Sequence, residues 1–272
     1  MVKKQKNKRQ MSESWPTVAL LTFSGGLQDA YSYCVRGKVF ANAQTGNIVL
    51  MSQGLFAGDW GVVLHYLIPL LAFACGVFAA EQIRARYSCL QAVHWRQLIV
   101  LGEAILLFVV GFLPSTVDLV ANALVSFACA MQVQAFRKVN GYPYASTMCI
   151  GNLRSGVDAF SAYLRTKDHS LLRKAGHYFG IIGIFALGAG VGSALCSYLE
   201  ARTIWVCCAL LAISFILMFV RQEIEENTEI QTAWAQARAD ATKAEADVRA
   251  IGRALEEEIQ QQAQALHHPN DR

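Results

Sequence analysis

Two acids, Asp29 and Glu103, stand inside apolar runs, and a polar stretch of Asn42, Gln44, Thr45, Gly46 and Asn47 is wedged between two more. A charge at membrane depth costs at least ~2.5 kcal/mol, so residues of this kind face a cavity or a partner and mark ion or proton paths. Amide and hydroxyl side chains beside a glycine let the backbone turn where water is scarce. The chemistry open to this set is binding and passage of a cation, a proton or a small solute. The candidate pathway residues are Gln28, Asp29, Asn42, Gln44, Thr45, Gly46, Asn47 and Glu103, with Gly151 and Asn152 from a shorter echo, Cys149-Ile150-Gly151-Asn152-Leu153. A structural role competes for each acid: Asp29 as glue bonded to the Thr45 or Asn47 region, Glu103 paired with a neighbouring helix or protonated.

After Thr45-Gly46-Asn47 comes a run of ten residues, Ile48 to Ala57, about 15 Å as a helix and about half the hydrocarbon thickness. That is the length of a re-entrant half-helix, entered through Gly46 and capped by Thr45 or Asn47. An interfacial helix that binds nothing has the same length. The second echo is followed by Arg154 and Asp158 at i,i+4 spacing, the pattern of a salt-bridged surface helix. His65 is expected to be satisfied locally, and Gln132 and Gln134 to bond between helices.

These residues sit in a chain of 272 residues that is 54% hydrophobic and 16% charged, with mean hydropathy +0.31. Soluble domains carry about 25% charged residues, so the chain reads as an all-α polytopic membrane protein. Apolar runs at Trp15–Cys34, Val62–Ala80, Leu98–Leu113, Val117–Phe136, Tyr178–Leu199 and Ile204–Val220 predict six crossings. The basic segment before Trp15 has no short apolar core with a small-residue cleavage site, so the first helix is expected to stay. Lys and Arg collect on the cytoplasmic side. Six crossings with both termini cytoplasmic leave only Arg36, Lys38 and Arg202 outside, whereas turning the two Gly-Asn stretches into extra crossings removes the bias.

The halves 15–113 and 117–220 each place a Gly-Asn stretch after their first span. At an offset of 105, Ala30 aligns with Ala135, Gly46 with Gly151 and Asn47 with Asn152. Three spans per half invert the second copy, as in many transporters. Beyond Val220 the composition turns to Ala, Glu, Gln and Arg, and Ile230, Trp234, Ala237, Ala241, Ala244, Val248, Ile251 and Leu255 repeat at alternating fours and threes. That seam predicts a cytoplasmic coiled coil over 221–268 and a homo-oligomer, with 269–272 frayed; a solvated single helix is the competing reading.

No H-E-x-x-H, G-x-S-x-G or P-loop is present, and Gly188-Ala-Gly-Val-Gly192 lies inside a span, where small residues mean close packing. The eight cysteines have no C-x-x-C spacing. No enzyme, cofactor, metal or nucleic-acid partner is expected; the bilayer is.

Gly26-Leu-Gln-Asp-Ala30, Val39-Phe-Ala-Asn-Ala-Gln-Thr-Gly-Asn-Ile48 and Gly151-Asn152-Leu153 resemble the YoaK-type bacterial membrane proteins, a family of unknown function. The resemblance covers Thr17 to Val220, and Ile150 stands where the family pattern has Thr. It implies a multi-pass protein of the bacterial cytoplasmic membrane and supplies no activity. The leading expectation is a small transporter or channel for a cation or small solute. A membrane scaffold or regulatory subunit acting through the C-terminal helix comes second, an intramembrane enzyme third.

Overall fold

The computed structural model describes residues 14–87, 95–139, 142–144, 147, 149–220, 236, 238 and 240. The helices are α1 (Trp15–Val35), α2 (Gln44–Ala57), α3 (Trp60–Tyr87), α4 (Trp95–Val110), α5 (Asp118–Ala135), α6 (Cys149–Thr166), α7 (His169–Leu199) and α8 (204–220). A two-residue antiparallel pair, β1 (Lys138–Val139) and β2 (Tyr142–Pro143), interrupts them between α5 and α6. Among the described residues, three stretches are long and apolar enough to cross a membrane: Trp60–Tyr87, Ser115–Ala135 and His169–Val220. The last is broken into α7 and α8 by a short 3-10 turn over Glu200–Thr203, where Glu200 takes φ 48°. The chain divides into two units at Val220. In the second, only Gln236, Arg238 and Asp240 are described, all helical, so the expected heptad seam lies outside the described residues.

Local chemistry sets the helix ends. Pro16 sits in the first turn of α1, where its missing N–H costs nothing. Gly58, at φ 72°, ends α2, with Asp59 N donating to the Gly54 carbonyl; Asp59 then accepts from Val62 N at 3.1 Å and opens α3. α7 starts nine residues before the apolar run at Tyr178 because Asp168 caps it, accepting from Ser170 N at 2.8 Å and from Ser170 Oγ at 2.7 Å. Those bonds hold the Asp168 carboxyl below its ordinary range.

The two largest helix interfaces join α1 to α7 and α3 to α5. Each is close enough that glycines meet backbone. On α7, Gly188 lies on the Phe23 carbonyl and Gly192 on Leu27, while Gly26 of α1 lies on the Phe185 carbonyl. On α3, Gly76 lies on the Phe127 carbonyl and Ala130 of α5. The first helix of each half therefore packs on the third helix of the other, through small residues and van der Waals contact. Polarity runs inside out: Gln28, Glu103, Asn122 and Gln132 are buried, while Phe56, Phe78, Phe112 and Leu187 are exposed. A surface of large apolar side chains around a polar interior suits lipid as solvent.

Candidate functional site

Asp29 and the polar stretch meet at the middle of α1. Asn42 N donates to Asp29 Oδ1 at 2.7 Å, and Asn42 Nδ2 donates to the Gly25 carbonyl at 3.3 Å. Gly25 lies ten residues before the end of α1 at Val35, about 15 Å along a helix. The chain thus leaves α1, turns through Gly37 (φ 78°) and Lys38 (φ 65°), and returns to the level of the helix centre before α2 begins. Asn42 Oδ1 is buried and has no partner among the described residues.

Neither Thr45 nor Asn47 caps α2, contrary to the expectation; Ala43 occupies the N-cap and no side chain bonds there. Asn47 instead brackets Phe40, accepting from its N–H at 3.0 Å and donating to its carbonyl at 2.6 Å, as a neighbouring strand would. Asn47 Nδ2 also donates to Gln44 Oε1 at 2.9 Å, and Gln44 Nε2 donates to the Ala41 carbonyl at 2.8 Å. Gly46 lies beneath the Phe40 ring, which stacks on Tyr33. Thr45 is exposed. α2 starts at Gln44, a turn earlier than the expected half-helix, because this bonded knot is part of its first turn.

The second stretch reaches the same glycine. The Thr147 methyl group lies against Gly25 Cα so closely that no Cβ fits between them, and Thr147 Oγ1 is buried without a partner among the described residues. Burial raises the Cys149 thiol at the start of α6, and the charge of Asp29 raises it further. Asn152 is buried, while Gly151 and Ile150 are exposed. Along α6, Ile150, Leu153, Val157, Phe160 and Leu164 form an exposed apolar stripe, and Gly156 packs on Tyr178 and Phe179. Arg154 and Asp158 are both exposed and make no ion pair among the described residues. Their i,i+4 spacing puts both on one exposed side of α6, beside the stripe.

Gln28, one residue before Asp29, points about 100° away from it around α1. Its Nε2 donates to Glu103 Oε1 at 3.0 Å and to Ser24 Oγ at 3.1 Å, and its Oε1 accepts from the Cys129 thiol at 2.8 Å. Gln132 of α5 returns the bridge, donating to the Leu21 carbonyl of α1 at 3.1 Å. Gln134 donates to Glu81 of α3. His65 meets the Gly37 carbonyl at 2.8 Å. Asp29, Asn42 and Thr147 therefore form one cluster at Gly25, with Gln28 and Glu103 on the neighbouring side of α1. Gln44, Gly46 and Asn47 frame it, and Thr45 stands outside.

Sequence reasoning missed Thr147, although the offset of 105 pairs it with Asn42. It also missed Arg36, read as a loop charge. Arg36 is 1% exposed and donates to Tyr31 Oη (2.8 Å), Asp118 Oδ1 (2.8 Å) and the carbonyls of Val110 (3.1 Å) and Leu113 (2.8 Å). Asn122 Nδ2 donates to the Arg36 carbonyl at 2.6 Å. This cluster locks the ends of α1 and α4 to the start of α5.

A family model described as "Protein of unknown function (DUF1275)" matches residues 17–217. The chain is also similar to the UPF0700 transmembrane protein YoaK of Bacillus subtilis (strain 168), 27% identical over 154 residues that cover 54% of this chain and 67% of the relative. No solved structure matches.

Proposed function

Because the chain belongs to the DUF1275 family, whose function is unknown, we propose that this membrane protein is a small transporter or channel for a cation or small solute. In this reading α1, α3, α4, α5, α7 and α8 are six crossings, arranged as two inverted three-helix repeats with both termini cytoplasmic. α2 and α6 are the return limbs of two re-entrant stretches, one from each face. The observation that carries the reading is the convergence of Asn42 and Thr147 on Gly25, in the middle of α1. Backbone that is not helical is tolerated at membrane depth only where protein or a water-filled cavity receives it. The Asn42 and Thr147 oxygens there lack partners among the described residues, and Asp29 supplies a negative group that favours a cation.

The test uses single cysteines at Thr45 and Gly151, with the eight native cysteines replaced, in sealed vesicles. Both positions are exposed, and Gly151 has open space for a side chain. A charged thiol reagent should reach Thr45→Cys from outside and Gly151→Cys from inside. The scaffold reading draws on a different observation, the saturation of Gln44 and Asn47 by their own backbone. It takes over where neither cysteine reacts from either face.

A further inference from the structure

We propose that Glu103 is a proton-binding site, a carboxylic acid that carries its proton while the bundle is closed around it and gives it to water admitted beside Gln28. The role of that proton in coupling rests on the transport reading above; the site itself does not.

Glu103 is the ninth of sixteen residues in α4 and is wholly buried. One oxygen, Oε1, accepts from Gln28 Nε2 at 3.0 Å. The other, Oε2, is buried and bonded to nothing among the described residues. Among the described residues, the polar and titratable groups near it are neutral or acidic: Gln28 and, one residue beyond, Asp29 on α1, Cys129 on α5, Cys207 and Cys208 on α8. No lysine, arginine or histidine among the described residues pairs with it. The buried cation Arg36 is committed to Asp118 and two carbonyls at the end of α1.

A carboxylate here would face a single neutral amide and no counter-charge in a low-dielectric interior, the least favourable way to bury a charge. A structural glutamate would be expected to use both oxygens, since buried polar atoms in native proteins are nearly all bonded. Glu103 uses one. The unused oxygen is where a proton sits, and Gln28 Nε2–H is a donor already in place for the anion that proton release leaves behind. In the release step the Oε2–H bond breaks, the proton passes to water, and the carboxylate keeps the Gln28 bond.

The position of Gln28 ties this acid to the cluster at Gly25. Gln28 and Asp29 are consecutive on α1 and point about 100° apart, one to Glu103 and one to Asn42. A movement of α1 that frees Asn42 from Asp29 therefore also reaches the acid to which Gln28 is bonded.

Dicyclohexylcarbodiimide, an apolar reagent that adds to protonated carboxyl groups within membranes, tests the site on the full chain in liposomes. Peptide mapping should find the adduct on Glu103 at about pH 7, with labelling at least ~10-fold lower in strongly alkaline buffer. Asp29→Asn should keep it. Infrared spectra should show the carbonyl stretch of a protonated carboxylic acid that Glu103→Gln lacks. Absence of both adduct and acid band from Glu103 at every pH where the protein is folded overturns the proposal. Should Glu103→Gln fail to fold, the wild-type peptide map decides alone. Neither readout needs uptake, so a labelled Glu103 in a protein whose Thr45 and Gly151 cysteines stay unreactive keeps the proton site and removes only the transport reading.

Discussion

Asn42 and Thr147 stand 105 residues apart in the chain and touch the same residue, Gly25: one through its amide on the Gly25 carbonyl, the other through its methyl on the Gly25 Cα. The same offset pairs Gly46 with Gly151 and Asn47 with Asn152 in the sequence. Gly25 is the only residue type that leaves room for both.

Filling that space should be costly and specifically reversible. Gly25→Ala places a methyl group on Thr147 Cγ2, and overpacking of this kind costs about 1–3 kcal/mol. Thr147→Ser removes the obstructing carbon and keeps the hydroxyl. The double variant should regain most of the loss, giving a coupling of about 1 kcal/mol or more in a thermal-unfolding cycle in detergent. Additive effects would mean that Thr147 does not hold its place on Gly25.

The buried ion pair should matter far more than the exposed one. Asp118→Asn leaves Arg36, 1% exposed, without its counter-ion and should cost about 3 kcal/mol, since breaking a buried pair strands a charge. Glu81 pairs with Arg84 and Arg137 where all three side chains are at least 39% exposed, so Glu81→Gln should cost under about 1 kcal/mol. Salt should weaken only the second pair. Equal melting temperatures for the two variants would remove Arg36 as the lock between α1, α4 and α5.

These contrasts mark how far the sequence could be read. Apolar run length located the helices, because a crossing must be apolar over most of its length whatever it packs on. It placed the start of α7 late, since His169–His177 is polar and its helical state depends on the Asp168 cap and on packing by α6. Asp29 and the Asn42–Asn47 stretch were recognisable as polar groups beside long apolar runs, and they do meet, yet through Asn42 N and not through Thr45 or Asn47. Backbone donors carry no signature in residue type. Arg36 and Asp118, and Gln28 and Glu103, are separated by 82 and 75 residues, and such pairings appear only when helices are brought together.

The Asn47 bracket makes a sharper demand than its burial alone. Asn47→Asp keeps an acceptor for Phe40 N but replaces the donor that serves the Phe40 carbonyl and Gln44 Oε1. An acceptor would then face two acceptors, a loss of about 1–3 kcal/mol for each buried group left unpaired. Limited proteolysis should cut faster between Arg36 and Ala43 in this variant, while Thr45→Ala, at an exposed position, should cut as wild type. Unchanged cleavage in Asn47→Asp would show that the loop is held by something other than Asn47.

The outer surface of α6 carries the last prediction. Ile150, Leu153, Val157, Phe160 and Leu164 are each more than 40% exposed and fall on one side of the helix, spaced by threes and fours. Arg154, Asp158, Ser161 and Arg165 fall on the next side, and Asn152, Gly156 and Ala159 face the protein. A helix with one face on the bundle, one apolar and one polar turns the second to lipid and the third to water, whether that water is outside the membrane or in a path through it. Spin labels at Phe160→Cys and Ser161→Cys, one residue and about 100° apart, should therefore report different solvents. The label at 160 should collide mainly with oxygen, which concentrates in lipid, and the label at 161 with a water-soluble nickel chelate. Chelate access at both positions would place the stripe in water, and an apolar surface of that size would then require a protein partner, not lipid, to cover it.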